Sequence, residues 1–287
     1  NLQFVLLTGV TKFSQVSVFS GFNQPDDISM SRDYEALCGI TETELHHHFK
    51  EPIKEMAEVY HCTEEAMKER LKRQYDGYHF GYRMTDIYNP FSILNAFSKM
   101  QIGDYWFRSG TPTYLIRLMT HTNENLNDLT GKYYDPSQFV DYKADVEKPL
   151  PMIYQSGYFT IKDCDLDMGT FLLDFPNDEV KKGFVTLVAN NYLQSEKDSG
   201  SWARDIVGAL KTGDLEQVRK LLTSFLADIP YSMRRKETER ERERYFHYTF
   251  YLLMRMVSCY TVYTEKQQSE GRVDCIVETP DYIYIFE

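Results

Sequence analysis

The C-terminal part of the sequence constrains the fold most, because an apolar helix pattern is followed there by three strand patterns. Residues Tyr245–Val257 predict the helix, and strands are predicted over Tyr260–Glu265, Gly271–Glu278 and Asp281–Glu287. A helix followed by consecutive strands that can pair with their neighbours is typical of α+β proteins. We therefore expect an α+β fold in which these strands form an antiparallel sheet.

Two acidic residues are predicted to lie on one face of the last hairpin. If Thr279-Pro280 is a two-residue loop, Asp274 faces Ile285 on the next strand. Since side chains alternate along a strand, Asp274 and Glu287 then become diagonal neighbours, about 7–8 Å apart. Both carboxylates can then hold a hard cation such as Mg²⁺, which activates water for phosphodiester hydrolysis. Pro280 does not suit the favoured hairpin turns, and two surface acids without a role are the alternative.

Composition and charge exclude some classes of protein. The 287 residues include 32 Lys and Arg against 43 Asp and Glu, a formal net charge of −11. A protein that coats nucleic acid with its whole surface needs a basic field, so that class is excluded, whereas a small local site is not. Five scattered cysteines without a CxxC pair exclude a disulfide framework and a zinc site, and they fit a reducing cytoplasm.

Other motifs for phosphate or metal binding are absent or weak. Neither G-x-x-x-x-G-K-[ST] nor G-x-G-x-x-G occurs in the sequence. Leu172-Leu173-Asp174 has the pattern of the acid at the end of an ATPase strand, but such patterns are common, and an exposed acid on an ordinary strand is the favoured interpretation. The adjacent residues His46-His47-His48 cannot share one face of a helix, so a metal site there is not expected.

The middle of the chain predicts a β-hairpin followed by helices. Residues 152–161 end in a strand pattern, and Phe171–Phe175 form a second one after an Asp/Gly turn. A helix is predicted from Asp178, and a helical pair follows over Trp202–Leu210 and Leu215–Leu226.

Both ends of the sequence carry apolar runs that are typical of strands, at residues 2–7 and 282–286. Domains seldom begin and end within a strand, because termini usually lie in exposed and weakly held segments. We therefore expect a fragment truncated at both ends, and a natural chain with two terminal strands is the alternative.

The last two strand patterns resemble the core of PD-(D/E)XK nucleases. The matching residues are Gly271-Arg272-Val273-Asp274 and Ile283-Tyr284-Ile285-Phe286-Glu287. The resemblance implies a Mg²⁺ site with Asp274 and Glu287 as catalytic residues and metal ligands. It also implies that Glu243 is the helix acid found in many members and assists catalysis. The lysine of the family pattern would lie two residues beyond Glu287.

The rest of the chain is similar to bacterial AAA-ATPase-like proteins that carry such a nuclease-like domain at the C-terminus. The resemblance implies that residues 2–8 form a strand of the ATPase sheet, with Thr8 near the γ-phosphate of ATP and a P-loop upstream of Asn1. The stretches that carry it are Phe4–Ser14, Tyr75–Phe80, Tyr88–Ser92 and Tyr154–Tyr158.

The resemblance implies a multidomain α+β protein. Its parts are a terminal strand of a P-loop ATPase-like sheet, a helical lid, a winged-helix-like middle and a truncated restriction-endonuclease-like α/β domain. The expected division is residues 1–125 for the ATPase-like part with its lid, 126–195 for the winged-helix-like region, 196–233 for a helical connector and 234–287 for the nuclease-like domain.

The leading hypothesis is a fragment of a cytoplasmic ATPase–nuclease whose whole protein binds ATP and carries a Mg²⁺-dependent phosphodiesterase site. Little activity is expected from these 287 residues. A non-catalytic module that binds nucleic acid or protein is the second hypothesis, and a nucleotide-dependent regulator is the third. Nucleic acid, a protein partner and a second copy of the chain are the partners left open, and no membrane partner is expected.

Overall fold

The computed structural model describes most of the chain and divides it into two compact units, residues 1–181 and 182–287. The described residues are 4, 6, 8, 9, 26–109, 115, 118, 126–140, 148–193, 199–228, 239–257, 261–268 and 271–286. The boundary between the units falls within one helix. The division into four parts expected from the sequence stays a prediction.

The first unit begins with a helical part around a two-stranded antiparallel sheet. Ile40 pairs with Tyr88 in this sheet, and helices from both sides of it contribute to one apolar core. The elements are β1 (Ile40–Thr41), α1 (Glu42–His48), α2 (Lys50–Val59), α3 (Glu64–Tyr75), β2 (Ile87–Tyr88), α4 (Pro90–Lys99) and α5 (Tyr105–Ser109). The fully buried core side chains include Leu45, Met56, Met67, Leu71, Tyr75 and Ile93.

Side-chain caps start helices α1 and α3 of this part. The Thr41 hydroxyl accepts a hydrogen bond from the Glu44 amide while the Glu44 carboxylate accepts one from the Thr41 amide, and these two bonds form a capping box. Helix α3 is capped by Thr63, whose hydroxyl accepts from the Ala66 amide at 3.2 Å. These caps satisfy amides that have no partner within the helix.

Replacement of Thr63 by Ala is expected to lower the free energy of unfolding of the first unit by about 1 kcal/mol. The reason is that the Ala66 amide loses the acceptor that Thr63 supplies. Thr63→Ser is the matched control, because it keeps the hydroxyl and is expected to retain the stability of the wild type. Chemical denaturation of the three proteins measures the difference, and equal stability of Thr63→Ala and the wild type would contradict the role of the cap.

The first unit continues into a three-stranded antiparallel sheet with the order β3-β5-β4. Its elements are α6 (Leu126–Leu129), β3 (Lys132–Tyr134), α7 (Pro149–Gln155), β4 (Thr160–Asp165) and β5 (Thr170–Asp174). Strands β4 and β5 form the hairpin that the sequence predicts. The Asp165 carboxylate closes its turn by accepting from the amides of Asp167 and Met168.

The first strand of this hairpin starts later than the apolar pattern suggests. Residues 152–155 belong to α7, because Pro149 occupies the first turn of a helix, where its missing N–H costs nothing. The helix ends before Gly157, which has a φ of +79° that glycine adopts without strain. The strand begins only at Thr160.

Helices α8 (Asp178–Leu193), α9 (Ser199–Thr212), α10 (Leu215–Asp228) and α11 (Glu239–Met256) follow the hairpin. The last three strands are β6 (Thr261–Gln268), β7 (Gly271–Glu278) and β8 (Ile283–Phe286). Helices α9 to α11 and the three strands belong to the second unit. The order β6-β7-β8, with antiparallel pairing throughout, confirms the predicted α+β arrangement of the C-terminal segment.

The strand expected near the N-terminus does not occur at the residues described there. Phe4, Leu6 and Thr8 are exposed and have no regular secondary structure. The other residues of the expected strand lie outside the described part of the chain. The placement of Thr8 beside a nucleotide therefore stays a prediction. Within the described residues, no helix is long and apolar enough to cross a membrane.

Candidate active site

Strand β7 is the middle strand of the C-terminal sheet and carries Asp274. The pairing of β7 with β8 sets Cys275 opposite Phe286 and Glu278 opposite Ile283. The predicted register is therefore wrong by two residues, since Ile285 pairs with Ile276 rather than with Asp274. The diagonal placement of Asp274 and Glu287 loses its basis with that register, and the separation of the two acids stays a prediction because Glu287 lies outside the described residues.

The loop explains the error. The connection between β7 and β8 comprises Thr279 to Tyr282 instead of Thr279-Pro280 alone. The Thr279 hydroxyl accepts from the Tyr282 amide at 2.9 Å, and the Thr279 amide donates to the Tyr282 carbonyl at 2.8 Å. Pro280 stands inside this longer loop, where no strand partner needs its missing N–H.

A shift of two residues keeps every strand position on the face that the alternation predicts. One face carries Ile283 and Ile285, which are 67% and 61% exposed, the exposed Glu278, and Ile276, which is buried at 8% exposure. The opposite face carries Val277 and Tyr284, which are buried. By alternation, the backbone position of Asp274 belongs to the face that carries Ile276 and Ile285.

Helices of the same unit cover the opposite face of the sheet. The Tyr284 hydroxyl donates to the Leu210 carbonyl of α9 at 2.6 Å, and the ring of Phe286 contacts Phe250 of α11 with centroids 5.1 Å apart. These contacts orient the sheet so that one face packs on helices. The position of Asp274 belongs to the other face, which does not pack on Leu210 or Phe250.

The remaining predicted site residues are placed less completely. Glu243 lies in the first turns of α11 and is exposed. Glu287 lies outside the described residues, and the side chain of Asp274 is not among those described. In the described part of the chain, no three His, Cys, Asp or Glu side chains form a metal-binding group. The distances among the three predicted acids therefore stay predictions.

A second group of ionisable residues lies in the first unit and was not found from the sequence. His79 is buried, and its two ring nitrogens lie 2.7 Å from the Ile161 carbonyl and 2.7 Å from the Asp86 carboxylate. Each ring nitrogen therefore has a hydrogen-bond partner.

Two further residues belong to this group, the half-buried Lys162 and the buried Asp76. The Lys162 ammonium donates to the carbonyls of Gly77 and Pro176, and burial lowers the pKa of Lys162. Burial raises the pKa of Asp76 to about 6. In the sequence, only the dipeptide Asp76-Gly77 indicates an unusual backbone conformation here. The burial of Asp76 depends on strands that lie far away in sequence, so a local pattern does not predict it.

Comparison with known proteins agrees with the C-terminal assignment. Residues 241–287 match the family model of the PD-(D/E)XK nuclease superfamily. A curated relative, "Uncharacterized protein in vnfD 5'region" of Azotobacter chroococcum mcd 1, is 29% identical over 289 residues, which cover 100% of this chain and 54% of the relative. The chain thus spans about half the length of that relative.

No solved structure matches the chain. The family model covers none of residues 1–240, so the similarity of that region to AAA-ATPase-like proteins stays a prediction. The C-terminal sheet, its preceding helix and the matched family model agree with one another. Residues 241–287 are therefore similar to the PD-(D/E)XK nuclease superfamily.

Proposed function

We propose that this chain belongs to a Mg²⁺-dependent nuclease whose metal ligands are Asp274 and Glu287. The observation that carries the proposal is the match of residues 241–287 to the PD-(D/E)XK nuclease superfamily. The arrangement of the sheet is compatible with it, because the strand position of Asp274 belongs to the face of the exposed Ile283 and Ile285 and not to the face that packs on α9 and α11.

Continuation of the ladder beyond its last described pair would make the two acids closer neighbours than the sequence suggested. The last described pair of the ladder is Cys275 and Phe286. We expect one further step of the same ladder to pair Asp274 with Glu287, with Cβ atoms roughly 4.5–5.5 Å apart. Two carboxylates at this separation supply the oxygen ligands that Mg²⁺ prefers, and the other positions of the octahedron are left to water and phosphate.

The chemistry that follows is hydrolysis of a phosphodiester. A bound Mg²⁺ lowers the pKa of a coordinated water and stabilises the negative charge that develops on the phosphate oxygens. Asp274 and Glu287 would hold the metal ion at the sheet. Glu243, exposed near the beginning of α11, is proposed to orient the attacking water.

Removal of the metal ion is expected to abolish cleavage. Single-stranded and double-stranded DNA and RNA, incubated with the whole protein and Mg²⁺, are expected to yield products that gel electrophoresis resolves. Excess EDTA is expected to stop the reaction because no other group on the exposed sheet face replaces the Lewis acid. Restored cleavage after Mg²⁺ is added back is the control for protein damage, and cleavage that persists in EDTA would contradict the proposal.

A protein that binds these nucleic acids but cleaves none of them would instead support the non-catalytic module. Binding of ATP by the whole protein through Thr8 is a separate prediction. Labelled ATP and the Thr8→Ala variant test it independently of the nuclease assay.

A further inference from the structure

The segment 76–79, here called the latch, fastens the end of α3 to the β4–β5 hairpin. The Asp76 carbonyl accepts from the Asn177 side-chain amide at 2.9 Å, and the Gly77 carbonyl accepts from the Lys162 ammonium at 3.0 Å. The His79 amide donates to the Thr160 hydroxyl, which donates in turn to the His79 carbonyl. The main chain of the latch is thus bonded to the hairpin at Gly77 and His79, whereas the amide and carbonyl of Tyr78 are bonded to Ile87 of β2.

The side chain of Asp76 is buried here with little hydrogen bonding. The residue is 2% exposed, and neither carboxylate oxygen has a well-aligned hydrogen-bond partner among the described residues. The backbone of the adjacent Gly77 lowers the pKa of the Asp76 carboxyl, but burial has the larger and opposite effect. The fully buried Tyr88 hydroxyl beside it also has no such partner there. A buried carboxylate without partners is costly in its charged form, whereas the neutral acid loses much less on leaving water.

The charged groups around Asp76 do not compensate its charge. The Lys72 ammonium lies 3.1 Å from the Glu42 carboxylate and 3.6 Å from that of Asp86, so two other acids share it. The Lys162 ammonium donates to two carbonyls and also faces the carboxylate of Asp174. The titratable groups that interact with Asp76 are Glu42 of α1, Lys72 of α3, Asp86 before β2, Tyr88 of β2 and Lys162 of β4.

We propose that the latch is a proton-linked switch, closed on the β4–β5 hairpin when Asp76 is neutral and loosened when Asp76 ionises. Protonation of Asp76 removes a buried negative charge that no well-aligned hydrogen bond stabilises. Ionisation restores that charge next to Glu42 and Asp86, which repel it. The latch then opens locally so that the carboxylate reaches water, while the apolar core of α1 to α4 stays intact.

The direction of the pH dependence follows from the raised pKa. Asp76 has a pKa of about 6 in the folded protein, and the usual value for Asp is 3.8. Between these values the closed latch binds a proton that the open one releases, so closure weakens as the pH rises from about 4 to about 6. Above this pH window, the stabilisation of the closed latch by the proton on Asp76 is lost completely. Protection of the latch against opening is expected to fall on the order of tenfold between about pH 5 and about pH 7.5.

Amide hydrogen exchange of the intact chain tests the switch. Exchange rates at Gly77, Tyr78 and His79, corrected for intrinsic exchange, are compared at the two pH values in the wild type and in Asp76→Asn. The wild type is expected to lose protection at the higher pH, and Asp76→Asn is expected to lose none, because the amide does not titrate. Asp167→Asn, at an exposed acid on the hairpin turn, is the matched control and keeps the behaviour of the wild type.

A second measurement does not depend on the variant. Carboxyl-carbon NMR of the wild type is expected to show one Asp resonance with a midpoint near pH 6, and the latch amides shift with the same midpoint. Equal loss of protection in the wild type and Asp76→Asn would overturn the proposal. So would latch amides that do not respond to pH between about pH 4 and about pH 7.5, because a proton-linked latch must follow the titration.

Discussion

Replacement of Asp274 by Asn in the whole protein is expected to reduce Mg²⁺-dependent cleavage of nucleic acid about a thousandfold. The substitution keeps the size of the side chain but removes its charge, so the metal ion loses an anionic ligand. A metal ion contributes several kcal/mol to stabilising the transition state, and about 4 kcal/mol corresponds to a thousandfold in rate. Cleavage rates under single-turnover conditions measure the effect directly.

The same hairpin offers a control for this substitution. Asp281 lies in the exposed loop between β7 and β8, away from the strand position of Asp274. Asp281→Asn removes the same charge from the same hairpin and is expected to cleave at the rate of the wild type. An Asp274→Asn protein that folds like the wild type and cleaves as fast would show that the metal site lies elsewhere.

Replacement of Gly77 by Ala is expected to destabilise the first unit by about 3 kcal/mol, which combines backbone strain with overpacking. Gly77 has a φ of +91°, a conformation that alanine adopts only with strain. A Cβ atom added there would lie 2.4 Å from the Pro176 carbonyl oxygen and 2.9 Å from the Lys162 ammonium. The Lys162 ammonium donates to the carbonyls of Pro176 and Gly77, so neither neighbour can move away without breaking one of these hydrogen bonds. Chemical denaturation followed by circular dichroism measures the loss.

Gly169→Ala separates the two causes of this loss. Gly169 has a φ of +65°, but an added Cβ would meet no atom within 4 Å. Only the conformational cost of the left-handed backbone then applies, which is about 1 kcal/mol. If both variants lost the same stability, the contact with Pro176 would contribute nothing, and the close packing of the latch would not matter for the fold.

The sequence predicted the alternation of side chains in β7 and β8, but it did not predict the turn that sets their register. The pattern of β7 and β8 predicted which residues share a face, and Ile283 and Ile285 confirm it by their exposure. The register was not predictable from alternation, because any even shift satisfies the same pattern. The register is set by the loop from Thr279 to Tyr282, in which the Tyr282 amide donates a hydrogen bond to the Thr279 hydroxyl.

The C-terminal resemblance and the N-terminal one also had different outcomes. The resemblance of the last strands to PD-(D/E)XK nucleases depended on acids at fixed places in a local strand pattern, and the family match confirms it. The ATPase resemblance depended on several short stretches of sequence. The structural role of such a stretch depends on the segments that it contacts in the folded protein. Of the strand it implied, the described residues Phe4, Leu6 and Thr8 show no regular structure.

The sequence by itself determined the elements whose signals are local: the caps at Thr41 and Thr63, the hairpin of β4 and β5, and the helix with three strands at the C-terminus. Only the tertiary structure decided the environment of Asp76. Its carboxylate is buried because Asn177 and Lys162, about a hundred residues away in sequence, fasten the main chain beside it. Burial and electrostatic environment arise from such distant contacts, whereas helix caps and strand alternation act within a few residues.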